Sequence, residues 1–184
     1  MKKLLKGLVI IGFMLYPFLV AYGLSQGQYQ WVSMLLIALG IIKLLDKKSS
    51  LLWPLATFAI LCGGLNLCLK DQAWLKLYPV LMSLGALVIF AMTLFKPPSM
   101  IERFARLVEP DLPVEGVLWT KKVTIVWCIF FLLNAVISGF TVFFTSTYIW
   151  TIYNGLLSYL LMGMILMGEF ILRKRQQYKY RINK

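Results

Sequence analysis

The sequence predicts an all-α, polytopic membrane protein with six transmembrane helices and a short amphipathic helix between the fourth and the fifth. Three observations predict this fold class. Hydrophobic residues make up 60% of the 184 positions, above the roughly 45–50% of soluble domains even when glycine is counted. The mean hydropathy is +0.80. Charged residues are only 14%, and they cluster at the ends of long apolar runs, as helices that cross a bilayer require.

The first apolar run covers residues 7–24 and follows a basic amino-terminal segment. A secretory signal peptide is one interpretation, because Ala21-Tyr22-Gly23 is a passable small-residue cleavage site. A retained first helix is the preferred interpretation, because further long apolar runs follow. Pro17 lies inside this run and is expected to kink the helix.

Five more apolar runs complete a single integral membrane domain, residues 1–184. Proline follows an aromatic residue near the start of the third and fourth runs, at Trp53-Pro54 and Tyr78-Pro79, and proline is well placed in the first turn of a helix. Short polar turns separate most of the runs, and the basic tail 173–184 closes the chain. The predicted spans are residues 31–45, 51–69, 74–95, 123–144 and 149–172.

The cationic residues sort by side of the membrane. With the amino terminus in the cytosol and six alternating spans, only Lys70 and Lys76 of the 19 lysines and arginines lie outside. Short cytosolic loops are enriched in Lys and Arg, so both termini are predicted to be cytosolic. The same sorting accounts for the net charge of +12, and no nucleic-acid partner is expected.

The cytosolic connector, residues 96–122, is the longest stretch that is not continuously apolar. Ser99 and Glu102 form a capping box, which predicts a helix of two to three turns. Its apolar side is expected to hold Met100, Ile101, Phe104, Leu107 and Val108, and its polar side Glu102, Arg103 and Arg106.

Two interpretations of this amphipathic helix remain open. It lies in the interface with its arginines toward anionic headgroups, or it packs on the cytosolic ends of the bundle. Trp119 is expected to anchor the start of the fifth span at headgroup level. The candidate residues for contact with the membrane surface or with a partner protein are Arg103, Phe104, Arg106 and Trp119.

Several polar residues fall inside the apolar runs, where contact with lipid is costly. On the fifth span Asn134 and Ser138 share a face, as Asn154 and Ser158 do on the sixth. One interpretation is a polar pathway or ligand site between the third, fifth and sixth helices. The other is interhelical hydrogen bonding, worth about 0.6–2 kcal/mol per contact. The candidate intramembrane site consists of Asn66, Asn134, Ser138, Asn154, Ser158 and Glu169.

Glu169 is the only acidic residue within a predicted span and is therefore the best single functional candidate. Arg173 follows four residues later, at the spacing of an ion pair on one helix face. With that pair, Glu169 is instead an ordinary interfacial residue whose charge reaches the headgroups.

No catalytic or cofactor-binding constellation is recognisable. The chain has no histidine and three cysteines, which makes a Cys/His zinc site unexpected. Nucleophile–histidine pairs, phosphate-binding glycine loops and carboxylate clusters with metal-ligand spacing are also missing. We therefore expect no catalytic residues, no metal, no cofactor and a protein that is not an enzyme.

Motifs in the connector and the last two spans resemble the intracellular septation protein A family of bacterial inner-membrane proteins. The connector motifs are Lys96-Pro97, Ile101-x-Arg103 and Leu118-Trp119-Thr120-Lys121. The span motifs are Trp127-x-x-Phe130-Phe131 and Ile149-Trp150 followed by Tyr153. Chain length and span placement also match this family over nearly the whole chain.

The resemblance implies a non-enzymatic scaffold or accessory in cell-envelope synthesis or division, acting in the inner membrane through contacts with other membrane proteins. The chain also resembles a sister group encoded beside the enzymes of aryl-polyene synthesis, which implies a membrane accessory in assembly of a lipid-like product. A small-solute transporter is a third alternative. Six helices are few for such a carrier, and the hydropathy pattern has no inverted repeat.

Overall fold

The computed structural model describes residues 15–27, 29–45, 53–69 and 73–182. Four features predicted from the sequence lie outside these residues. They are the basic amino terminus, the start of the first span, the turn with Lys47 and Lys48, and Lys70.

The described residues form an all-α structure without strands, which confirms the all-α part of the predicted fold class. The helices are α1 (Leu15–Ser25), α2 (Tyr29–Leu45), α3 (Trp53–Leu69), α4 (Ala73–Phe95), α5 (Met100–Arg106), α6 (Val114–Phe144), α7 (Thr147–Ile152) and α8 (Ser158–Ile182), with a π-helical segment, Tyr153–Leu157, between the last two.

Three of the described helices are long and apolar enough to cross a membrane: Ala73–Phe95, Val114–Phe144 and Thr147–Arg173. The apolar helices of α1, α2 and α3 are shorter in the described part of the chain. By length and composition the structure therefore has three candidate spans and three shorter apolar helices.

Helices α2 and α3 pack closely because each presents a glycine to the other. A Cβ atom on Gly40 would lie 2.9 Å from the carbonyl oxygen of Ala56, and one on Gly63 would lie 2.9 Å from that of Ser33. Both distances are shorter than van der Waals contact. Small residues that let helix backbones approach in this way are typical of membrane helix pairs.

Pro79 lies inside α4 and removes the backbone donor that would bond the carbonyl of Leu75. The hydroxyl of Tyr16 on α1 donates to this carbonyl at 2.8 Å. The indole Nε1 of Trp150 on α7 donates to the next carbonyl, that of Lys76, at 3.1 Å. Neighbouring helices thus complete the hydrogen bonding of the proline-interrupted turn, as helices in lipid require.

The connector contains the predicted helix, but α6 begins earlier than the predicted fifth span. Helix α5 covers Met100–Arg106, and α6 begins at Val114 rather than residue 123. Pro113 is the N-cap residue of α6 and Glu115 lies in its first turn. No proline follows that start and neither Gly116 nor Gly139 interrupts the helix, so α6 runs continuously through the predicted fifth span.

The buried face of α5 also differs from the apolar face expected from the sequence. Met100 and Ala105 are buried, but so is Glu102, whereas Phe104, Leu107 and Val108 are exposed. Glu102 points inward because its carboxylate accepts a hydrogen bond from the backbone N–H of Ser99 at 3.3 Å. This is the carboxylate arm of the predicted capping box.

The core divides into two clusters along the bundle. The first joins α1–α4 to α7, the start of the final helical stretch formed by α7, the π-helical segment and α8. It includes Tyr16, Leu75, Tyr78 and Trp150. The second is aromatic and joins α4, α6 and α8 near the connector; its buried members are Val123, Trp127, Phe130 and Phe131. The candidate polar residues of α6 lie between these two clusters along the helix.

Candidate functional site

Asn134 joins three helices by hydrogen bonds. Its amide nitrogen donates to the hydroxyl of Ser83 on α4 at 2.9 Å. Its amide oxygen accepts from the hydroxyl of Tyr153, in the π-helical segment, at 3.0 Å. Ser83 in turn donates to the carbonyl of Pro79 at 3.0 Å. A buried amide thus ties α4, α6 and the final helix together.

Asn154 forms a second set of contacts one residue further along the π-helical segment. Ser138 donates to its amide oxygen at 2.6 Å. Its amide nitrogen donates to the carbonyl of Trp150 at 3.0 Å and to the hydroxyl of Thr141 at 3.3 Å. Both ends of this side chain are therefore engaged by α6 and by its own helix.

At the π-helical segment a backbone N–H bonds the carbonyl five residues back instead of four. The carbonyl that loses its backbone donor is bonded by a side chain instead. The N–H of Ser158 donates five residues back, to the carbonyl of Tyr153, instead of four residues back to Asn154. The hydroxyl of Ser158 donates to the Asn154 carbonyl at 3.2 Å. Of the candidate residues, Asn134, Ser138, Asn154 and Ser158 thus lie in one buried region.

Asn66 lies outside this region. It is fully buried on α3 and accepts a hydrogen bond of 2.7 Å from Ser33 on α2. The helix that completes the cluster is α4, through Ser83, rather than α3. Asn66 is separated from the cluster because of how the helices pack: α4 packs along α6, whereas α3 packs between α2 and α4.

Glu169 is half-buried on α8, four residues before Arg173. It lies 22 residues after Thr147, which corresponds to about 33 Å at 1.5 Å per residue. A hydrocarbon core is about 30 Å thick, so the distance from Thr147 to Glu169 corresponds to about one membrane crossing. Arg173 forms an ion pair with Glu109 of the connector at 3.7 Å.

The two candidate arginines of the connector hold the turns on either side of α5. Arg103 donates to the carbonyl of Pro98 at 2.9 Å and of Lys96 at 3.5 Å. Arg106 pairs with Glu102 at 2.8 Å and donates to the carbonyl of Pro110 at 2.9 Å.

The other two connector candidates have different environments. Phe104 is exposed, whereas Trp119 is half-buried and packs against the aromatic cluster of α4 and α6. Of these two residues, only Phe104 therefore presents its side chain at the surface.

Hydroxyl groups that sequence reasoning did not select fix α5 to the bundle. The backbone N–H of Met100 donates to Thr93 of α4 at 2.9 Å, and that of Ile101 donates to Thr124 of α6 at 3.3 Å. Thr124 lies ten residues before Asn134 on the buried face of α6. Neither Thr93 nor Thr124 was among the polar residues selected from the sequence.

The polar residues of this region hold the helices together by hydrogen bonds. In the described part of the chain no group of three His, Cys, Asp or Glu residues is placed to hold a metal ion. The amides of Asn134 and Asn154 use both their donor and their acceptor within the protein. Satisfied buried polar groups stabilise helix association in lipid.

The family model described as intracellular septation protein A matches residues 1–178 of the chain. No curated protein and no solved structure matches it.

Proposed function

Since the chain belongs to the intracellular septation protein A family, we propose that it is a non-enzymatic scaffold or accessory of cell-envelope synthesis or division. Family membership suggests a membrane protein involved in septation. The observation that carries the proposal is the hydrogen bonding of the buried amides of Asn134 and Asn154, each of which uses its donor and its acceptor within the protein. Such pairing supports a rigid bundle that acts through its surfaces.

The proposed topology has six membrane-spanning helices in the bacterial inner membrane, with both termini cytosolic. Three long helices and three shorter apolar helices supply the elements. Only Lys70 and Lys76 fall on the outer side in this arrangement, as the positive-inside rule favours. A reporter fused to the carboxyl terminus should be active in the cytosol, and activity only outside the cytosol would exclude the topology.

The proposed partners are anionic lipid headgroups on the cytosolic side and other inner-membrane proteins. Lys121 and Lys122 are exposed at the inner end of α6, where the predicted fifth span begins. Cations at this level attract anionic headgroups. A transporter is less well supported, because Asn134 and Asn154 bond to protein groups at both ends of their amides.

Deletion of the chromosomal copy tests the proposal. We expect cells that are longer and have fewer septa, with normal length restored by the wild-type chain. Normal septation together with loss of one lipid or pigment would favour the accessory of a lipid-like biosynthetic pathway. Normal septation together with a changed solute flux that depends on Asn134 or Asn154 would favour a transporter.

A further inference from the structure

The segment that joins α5 to α6 is acidic, although the net charge of the chain is +12. Glu109, Asp111 and Glu115 lie within residues 107–120, which contain no lysine or arginine. All three carboxylates are exposed. In the proposed topology 17 of the 19 lysines and arginines lie on the same side of the membrane, so the charge of this segment is opposite to that of its surroundings.

Two described arginines lie near these carboxylates, and both already have partners. Arg106 pairs with the buried Glu102 at 2.8 Å. Arg173 of α8 pairs with Glu109 at 3.7 Å. Among the residues that the structure describes, neither of the other two carboxylates forms an ion pair. Two exposed negative charges are therefore not balanced by a described cation.

The same segment exposes large aliphatic side chains. Leu107, Val108 and Val114 have exposed fractions of 82%, 84% and 73%. Together with the three carboxylates they occupy residues 107–115, which we call the acidic tip. Burial of such aliphatic side chains by another molecule is favourable in water. The acidic tip therefore combines an apolar surface with negative charge.

The acidic tip lies beyond the hydrocarbon core in the proposed topology. Helix α6 has 31 residues and extends about 46 Å, against about 30 Å for a hydrocarbon core. One end is apolar up to Phe144, whereas Lys121 and Lys122 are exposed toward the other. Val114 precedes Lys121 by seven residues, or about 10 Å along the helix. A headgroup layer is roughly 5–8 Å thick on each side, so the acidic tip reaches the water beside it.

The charge of the acidic tip decides which surface is suited to cover its aliphatic side chains. The cytosolic leaflet carries anionic headgroups, which repel the three carboxylates, and a carboxylate inside the hydrocarbon core is costly. A protein segment with an apolar face buries the aliphatic side chains, and cations beside that face attract the carboxylates. Cytosolic segments next to membrane helices are rich in lysine and arginine, and they lie at the height of the acidic tip.

We propose that the acidic tip docks a basic amphipathic segment of another membrane protein, next to the cytosolic end of one of that protein's helices. The apolar side of the segment covers Leu107, Val108 and Val114, and its cations face Asp111 and Glu115. The inference rests on the proposed function, since it identifies the surface through which the scaffold acts and the chemistry of its partner.

Peptide binding to the full chain tests the proposal. The chain is placed in nanodiscs of zwitterionic phosphatidylcholine, and anisotropy measures binding of a fluorescent helical peptide with a leucine face and a lysine face. Binding to empty nanodiscs is subtracted. Comparison peptides have glutamate in place of lysine or serine in place of leucine. Only the peptide with leucine and lysine should bind, and Asp111→Asn with Glu115→Gln should weaken its binding about tenfold.

A charge swap separates docking from loss of the fold. Asp111→Lys with Glu115→Lys should abolish binding of the lysine peptide and create binding of the glutamate peptide, because the attraction is reversed. An unchanged preference for the lysine peptide in this variant would overturn the proposal. Equal binding by the wild type and the neutralised variant would also overturn it.

The apolar contribution has its own pair of variants. Leu107→Ser with Val108→Ser should weaken binding of the lysine peptide about tenfold. Tyr148→Ser is the matched control, because Tyr148 is similarly exposed at the opposite end of the bundle, and it should leave binding unchanged. Equal binding by the Leu107 and Val108 variant and the wild type would overturn the proposal, since charge attraction alone would then explain binding.

Photocrosslinking identifies the molecule that covers the acidic tip. A benzophenone residue at Val108 should crosslink to the lysine peptide in nanodiscs that also contain anionic phosphatidylglycerol. Crosslinking to phospholipid instead would make the lipid surface the occupant, and crosslinking to a second copy of the chain would make the surface a self-association site. Either result would overturn the proposal.

The two proposals fail in different ways. A chain that restores septation in deletion cells but does not bind the lysine peptide overturns only the docking surface. Normal septation in deletion cells overturns the proposed function, whatever the peptide measurement gives.

Discussion

The hydroxyl of Tyr16 donates a hydrogen bond of 2.8 Å to the carbonyl oxygen of Leu75. Pro79 lies four residues after Leu75 and has no N–H to offer this carbonyl. Water does not replace the missing donor in lipid. A side chain of α1 therefore completes the backbone hydrogen bonding of α4, so the stability of α4 depends on its contact with α1.

Tyr16→Phe should lower the free energy of unfolding by about 1–3 kcal/mol, because the buried Leu75 carbonyl loses its donor. Thermal unfolding in detergent measures the loss, and Tyr22→Phe, at an exposed position, should have little effect. In a Pro79→Ala background the loss should be smaller, since the alanine N–H bonds Leu75. Equal losses in both backgrounds would refute this explanation.

Gly63→Ala should destabilise the pair of α2 and α3 by about 1–3 kcal/mol, the usual range for overpacking. The added methyl group would lie 2.9 Å from the carbonyl oxygen of Ser33, and backbone must move to admit it. Gly64→Ala is the matched control, since nothing lies within 4 Å of its added Cβ. It should be neutral or slightly stabilising. The reverse order in thermal unfolding would contradict the observed packing.

Asn134→Leu should lower the free energy of unfolding by about 1–3 kcal/mol, because the buried hydroxyl of Tyr153 loses its acceptor. Tyr153→Phe should cost less in this background than in the wild type, since the shared bond is already gone. Chemical unfolding of the four chains in one detergent measures this coupling. Additive losses would show that the two side chains act independently.

Arg103→Ala combined with Arg106→Ala should speed amide hydrogen exchange across residues 97–113, because the turns on both sides of α5 lose their side-chain donors. Lys121→Ala with Lys122→Ala removes the same charge from exposed positions and should leave exchange near wild type. Mass spectrometry of chains in nanodiscs measures both. Similar acceleration in the two variants would point to a charge effect.

Glu169→Gln should retain near-normal septation in deletion cells. The physical reason is its distance of about one membrane crossing from Thr147, since a carboxyl group near the end of a membrane span can reach the headgroups. Cell length and septum counts provide the measurement, with the wild-type chain expressed at the same level as the reference. Loss of septation with normal protein abundance would restore Glu169 as a functional residue.

Much of the fold was predictable because lipid imposes simple constraints on sequence. The family, the all-α class and the capped helix in the connector were predicted correctly. In the structure Asn134, Ser138, Asn154 and Ser158 lie in one buried region. Asn66 joined Ser33 instead, because residue spacing defines a helix face but does not specify the helix that packs against it.

The sequence alone determined how much of the chain is apolar, where the charges lie and which side chains share a helix face. These properties follow from composition and from the fixed period of the helix. The tertiary structure decided the partners: Tyr16 for the carbonyl freed by Pro79, Ser83 for Asn134, and Thr93 and Thr124 for the start of α5. Those choices depend on which helices approach one another, and that is decided by packing of the whole bundle.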